Sequence, residues 1–347
     1  MAPRRGGSSY GGGSSLSCSS YAFETKSARI DIAFTALYFV VSLVLFIIAT
    51  RRFGISKKQG QPVAGAFLLG LSIFLALLYY LDSIIYIVIG ECGSVDVADY
   101  FPAIIISSWL YGLFRYTLIA VIMTSICRKL QKDFSRVEQL VLTLQNMWVG
   151  LLGLIVVAAL GLGTAINVYV YSDTSYDPYK ADELALPMRG VQMTNLVLSV
   201  AGILLASATM VKSLSHAGSL RSKNITTWVA VLVIAALGTT LTELGQYTET
   251  NFTYANRVFR TESDIQTFYD KRHAVYFLTS FFYSLAFYAA LRVAGYQIVP
   301  GHPTRVISNS PAEFAPQPTQ AMNEYHAPAD QRFSTGNQNQ GYGYPAR

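Results

Sequence analysis

Apolar runs alternate with short polar segments through the middle of the chain. Seven runs stand out, at about Ile30–Thr50, Val63–Ile89, Phe101–Cys127, Trp148–Tyr171, Val191–Val211, Thr226–Tyr247 and His273–Tyr296. Each holds about 20 or more mostly apolar residues, the length at which an α-helix crosses roughly 30 Å of hydrocarbon. In lipid the backbone must satisfy its own polar groups, so runs of this length and spacing predict helices. The expected fold is an all-α membrane protein, a seven-transmembrane helix bundle spanning residues 30–297. Residues 1–29 are Gly/Ser-rich, as in GGSSYGGGSS, and residues 298–347 are rich in Pro, Gln and Asn. Neither flank carries enough apolar surface to offset the entropy of ordering it, so both are expected to be disordered.

The charge pattern predicts which way the bundle faces. Lys and Arg accumulate in cytosolic loops of multi-pass proteins. The first, third and fifth loops carry eleven basic residues against two acidic ones, whereas the second, fourth and sixth carry six against eleven. Odd loops are therefore expected in the cytosol, with the N-terminus outside and the C-terminus cytosolic. Arg4, Arg5, Lys26 and Arg29 in the short N-terminal tail run against that bias. The basic composition, with a pI near 9.1, is explained by these loops and does not call for a nucleic-acid partner.

Two cysteines, Cys18 and Cys92, fall outside in this topology and are a candidate disulfide tying the tail to the second loop. Cys127, beside Arg128 and Lys129, falls inside and is a candidate for palmitoylation or a buried thiol. Of two Asn-x-Ser/Thr sequons, only that of Asn251 lies outside, which makes Asn251 the glycosylation candidate.

Ionisable side chains inside spans cost about 2.5–3.5 kcal/mol each on insertion scales and need a partner or a watery cavity. Asp82, Arg115 and Glu243 are the ones in span interiors, while Asp31 and Arg292 lie near span ends. Helical side chains lean toward the helix N-terminus, so Asp82 on an outward-running helix leans toward Arg115 on an inward-running one. An Asp82–Arg115 ion pair is therefore expected, with Glu243 acting independently. Phenolic and polar side chains share these faces: Tyr79 and Tyr86 flank Asp82, Tyr111 precedes Arg115 by one turn, and Asn167, Asn195, Tyr276 and Tyr283 add further helices. Apart from Arg115 they fall in the outer half of the bilayer. Such a concentration predicts a cavity open to the outside that takes a small-molecule ligand. The alternative is hydrogen-bonded glue between helices, at about 0.6 kcal/mol per contact.

Known chemistries are largely excluded by what is missing. The four histidines are scattered, so a multi-histidine metal or haem site is not expected, and no cofactor is implied. The seventh run has no lysine for a retinal Schiff base, and the chain has no Walker loop, GxSxG elbow or HExxH. Enzymatic activity is not expected. An N-out, seven-span, C-in arrangement resembles that of heptahelical receptors. It departs from the large animal family where the third span ends Thr124-Ser125-Ile126-Cys127-Arg128, in lacking Asn-Pro-x-x-Tyr in the seventh, and in having no cysteine between Ser172 and Gly190. With its Gly/Ser-rich head and Pro/Gln-rich tail, the chain is more similar to seven-span integral membrane proteins of filamentous fungi. Three roles stay open. One is a receptor-like plasma-membrane protein with a cytosolic signalling partner; the others are a small-solute transporter or channel and a structural membrane protein. Weight falls on the first, because no charged residue other than Arg115 enters the inner half.

Overall fold

The computed structural model describes Cys18 and residues 22–58, 65–92, 97–134, 139–172, 178–216, 223–253 and 262–296. The Gly/Ser-rich head before Cys18, the tail from residue 297 and eight of the loop charges that set the expected orientation (Asp96, Arg136, Glu138, Asp173, Asp177, Arg221, Arg257 and Arg260) lie outside the described residues. The elements are α1 (Lys26–Lys58), α2 (Ala66–Cys92), α3 (Val97–Ala120), α4 (Cys127–Phe134), α5 (Gln139–Ser172), α6 (Pro178–His216), α7 (Lys223–Thr248) and α8 (Glu262–Ala294). A π-helical stretch, Val121–Ile126, joins α3 to α4 without a break, and another, Glu249–Thr253, extends α7. No strand occurs among the described residues.

Seven of these rods are long and apolar enough to cross a membrane, with α3, its π stretch and α4 counting as one. Their surfaces fit that solvent. Phe67, Leu154, Ile234 and Val211 are 79%, 71%, 63% and 60% exposed, an outward apolar coat that water would not tolerate but acyl chains would. The helices overrun the apolar runs that predict them: α1, α5, α6 and α8 have 33, 34, 39 and 33 residues. Polar turns continue the hydrogen-bond ladder into the headgroup region, where hydropathy no longer marks them. Pro187 sits inside α6 and Pro102 inside α3, both near the same end of the bundle.

Neighbours along the chain pack against one another, and α1 also packs on α8, which closes the ring. The α3 rod is the central post, with contacts to α2, α5 and α6 and, through its π stretch, to α8. It is also the most buried span, with 56% of its most apolar window enclosed. Phe114, Ile122, Met123, Ile126 and Leu130 are all fully enclosed, and they pack with Leu69, Ile73, Ile203, Met210 and Leu232. This core fills the half of the bundle nearer Lys129. Small residues let the rods approach: a Cβ on Gly202 would stand 2.8 Å from the Trp148 indole nitrogen and 3.1 Å from Met123 Sδ, and one on Gly238 would stand 2.8 Å from the Phe282 ring.

The two ends of the bundle are tied differently. At one end Cys18 is disulfide-bonded to Cys92, and the Phe23 N–H donates to Glu91 Oε2 at 3.2 Å. There His273 Nε2 also stands 3.0 Å from Asp31 Oδ1 and 3.1 Å from Ser27 Oγ, joining α8 to α1. At the other end cations cap α8. Lys129 Nζ donates to the carbonyls of Ala294 (2.7 Å), Val293 (3.4 Å) and Tyr296, and Arg52 Nη1 donates to Leu291 O at 3.1 Å. The last carbonyls of a helix have no partner within it, and cations there are favoured by the helix dipole.

Candidate functional site

The polar centre of the bundle is built on one face of α3. Tyr111 and Arg115 are four residues apart and so stack on that face. Arg115 Nε stands 2.8 Å from Glu243 Oε2 on α7, with the two side chains only 11% and 5% exposed. The N–H does not point along that line, so the contact is an ion pair more than a directed hydrogen bond. Glu243 Oε1 accepts from the Tyr111 hydroxyl and, at 2.7 Å, from the Tyr283 hydroxyl of α8. Arg115 Nη2 donates to Ser199 Oγ at 3.2 Å, and Ser199 in turn donates to its own helix at Asn195 O, 2.7 Å away. Five side chains from α3, α6, α7 and α8 thus form one connected network with both charges balanced. Balance is what low dielectric demands, since each charge alone would carry a desolvation penalty of several kcal/mol.

This arrangement corrects the expected Asp82–Arg115 pair. Asp82 hydrogen-bonds Ser107 instead. Ser107 lies eight residues before Arg115 on α3, about 12 Å away along the axis at the usual helical rise. The lean argument itself holds, but it applies equally to α7, which runs in the same direction as α2. Glu243 is deeper than the apolar run places it, because α7 continues as a π stretch to Thr253. Ten residues, or about 15 Å, separate Glu243 from that end. The independence expected of Glu243 is likewise overturned.

Two cavities open at the Cys92 end and meet at this network. The first, about 380 Å³, lies between α3, α5, α6 and α7. Arg115 and Glu243 form its floor, Asn167, Gln192, Asn195 and Gln246 its polar side, and Val156, Leu160 and Leu196 its apolar side. Asn195 Oδ1 is buried there without a hydrogen-bond partner. The second, about 520 Å³, lies between α1, α2, α3 and α8 and is walled by Tyr79, Tyr80, Tyr86, Tyr111, Tyr276 and Tyr283. Tyr111 and Gln246 border both. The candidates that sequence patterning assembles into one cavity are therefore divided. Arg115, Asn167, Asn195 and Glu243 line the first; Tyr79, Tyr86, Tyr276 and Tyr283 line the second; Tyr111 stands between. Asp82 lines neither.

Several features escape sequence reading. Met188 and Tyr247 border the first cavity, and the Tyr247 hydroxyl donates to Arg189 O at 2.9 Å, tying α7 to α6 across its mouth. Nothing in their spacing marks them. His273 and Asp31, each at a span end, become informative only once α1 and α8 are adjacent. The glycosylation candidate Asn251 is half-buried in the π stretch, borders the first cavity, and donates from Nδ2 to Tyr247 O at 3.0 Å. Among the described residues no group of three or more His, Cys, Asp or Glu side chains is placed to hold a metal ion. No family model, no curated protein and no solved structure matches this chain.

Proposed function

We propose that the protein is a receptor-like plasma-membrane protein that binds a small, uncharged, amphipathic ligand in the α3–α5–α6–α7 cavity. The observation that carries this reading is the cavity's composition. Carboxamides from α5, α6 and α7 offer donors and acceptors on one side, aliphatic side chains face them, and the only charges are a neutralised pair at the floor. Its volume, about 380 Å³, falls within the roughly 300–1,000 Å³ of small-molecule sites. A buried acceptor without a partner, Asn195 Oδ1, is a group that a ligand hydroxyl or amide N–H would satisfy.

The orientation belongs to the same proposal: N-terminus outside, C-terminus cytosolic, cavity facing outward. The loop charge bias supports it, as does a disulfide at the cavity end, since such bonds persist in oxidising compartments. Binding is favoured over translocation because the half of the bundle beyond Arg115 is packed with apolar side chains, including Ile122, Met123 and Ile126. The basic loops at the Lys129 end are the surface offered to a cytosolic signalling partner. The test is a thermal-shift screen of uncharged amphipathic compounds on the purified protein, followed by proteoliposome uptake of each hit. Stabilisation lost in Asn195→Ala, without uptake, is the expected outcome. Uptake would make the protein a transporter, and hits indifferent to Asn195→Ala would sink the site.

A further inference from the structure

The Asp82 carboxylate is set apart from Glu243 and Asp31 by its surroundings. Glu243 is neutralised by Arg115 and Asp31 stands against His273. Among the described residues, no lysine, arginine or histidine forms an ion pair with Asp82. Its Oδ2 atom is buried and has no hydrogen-bond partner, and its one polar contact is the hydrogen bond with Ser107. An ionised carboxylate so placed in low dielectric lacks a counter-charge.

The helix face on either side of it is aromatic. Tyr79 and Tyr86, three residues before and four after Asp82, lie on the same face of α2. From α3, Ser107 and Tyr111 face them. These four residues line the tyrosine-walled cavity and also an adjoining groove of about 330 Å³ between α2 and α3. The rings are held in place by one another: Tyr79 and Tyr111 have centroids 5.3 Å apart, and Tyr79 and Tyr80 the same. The negative faces of aromatic rings attract cations, and rings grouped about a carboxylate are the usual recognition chemistry for ammonium groups. The wider cavity's own lining holds Asp31 and Arg272, one charge of each sign, and Asp82 adds a further negative charge from behind Ser107, outside that lining. The spaces are far larger than a bare metal ion needs, which selects an organic cation.

We propose that Asp82, with the rings of Tyr79, Tyr86 and Tyr111, forms a second binding site for an organic ammonium group, separate from the uncharged-ligand cavity. The ammonium stacks against the phenol rings beside Ser107, and Asp82 behind that hydroxyl supplies the counter-charge. Of the four named residues only Tyr111, the dividing ring, is shared with the first cavity: neither Asp82, Tyr79 nor Tyr86 borders it. Both a free amine and a lipid headgroup carry this chemistry.

The test uses the full-length protein in dodecyl maltoside, free of choline lipids, with unfolding followed by intrinsic fluorescence. Probes are tetraethylammonium, choline and 2-phenylethylammonium chlorides, each beside an uncharged isostere (3,3-dimethylbutan-1-ol for choline), at matched NaCl. At least one ammonium is expected to raise the melting temperature saturably while its isostere does not. Asp82→Asn, which keeps a hydrogen-bond partner for Ser107, is expected to weaken apparent affinity at least tenfold. Tyr86→Phe retains a ring and should stay within threefold of wild type, whereas Tyr86→Leu should lose at least fivefold. Phosphatidylcholine that displaces the free ammonium from wild type alone identifies a headgroup as the source; failure to displace it identifies a free amine. The proposal is overturned if no ammonium stabilises, if NaCl or the isosteres stabilise equally, or if Asp82→Asn binds as wild type does.

Discussion

Removing one member of the Arg115–Glu243 pair leaves its partner charged and buried. Glu243→Gln strands the Arg115 guanidinium, which is then held by Ser199 alone, and weakens the acceptor for the Tyr111 and Tyr283 hydroxyls. Breaking a buried pair from one side typically costs about 3–5 kcal/mol. Arg115→Gln is expected to cost somewhat less, because Glu243 keeps two phenolic donors, each hydrogen bond to a charged group being worth about 1.5–3 kcal/mol. The double variant carries no stranded charge, so its loss should fall short of the sum by a coupling of about 1–3 kcal/mol. The cycle is measured by reversible unfolding in mixed micelles of dodecyl maltoside and sodium dodecyl sulfate. A companion cycle with Asp82→Asn and Arg115→Gln is expected to be additive to within about 0.5 kcal/mol, since those residues share no contact. Additivity at Arg115 and Glu243, or coupling at Asp82 and Arg115, would refute the assignment of the pair.

Other perturbations read different parts of the bundle. Gly202→Val, which drives a branched side chain into Trp148 and Met123, should destabilise by about 1–3 kcal/mol in the same unfolding measurement. An unchanged value would mean that α6 does not approach α5 and the α3 π stretch so closely. Lys129→Met removes the carbonyl caps of Val293, Ala294 and Tyr296, so hydrogen exchange is expected to accelerate in the last turn of α8 and not in its middle. Cys18 and Cys92 should resist alkylation until reduced, whereas Cys127, wholly buried, should react without reduction once the protein is denatured. Three free thiols in the unreduced protein would contradict the tether.

What was legible in the sequence follows a simple physical division. Apolar runs near the length of a bilayer crossing identify seven helices, because only helices suit such runs in lipid. The same property hides their ends: beyond the hydrocarbon the ladder continues through polar turns such as Glu249–Thr253, which hydropathy does not see. That hidden extension moved Glu243 to the depth of Arg115 and left Asp82 beside Ser107. The residues of the candidate site are visible as polar positions on helix faces, because an intramembrane Arg, Glu or Asn has to face something other than lipid. Their grouping is not visible, since a face says nothing about which neighbour it meets. Tyr111 and Tyr283 read as parts of one cavity, yet with Glu243 they are the wall that divides two.

The central claim is a cavity that opens to the outside at the Cys92 end, with Arg115 and Glu243 at its floor. Single cysteines at Thr164, Gln192 and Asn195 on a Cys127→Ala background, with the Cys18–Cys92 bond left intact, test it on intact cells. A membrane-impermeant, positively charged methanethiosulfonate applied outside is predicted to label all three, and cysteines at the buried Ile122 and Met210 to stay unmodified. No labelling of the cavity positions from outside, or labelling only in inverted membranes, would contradict the account.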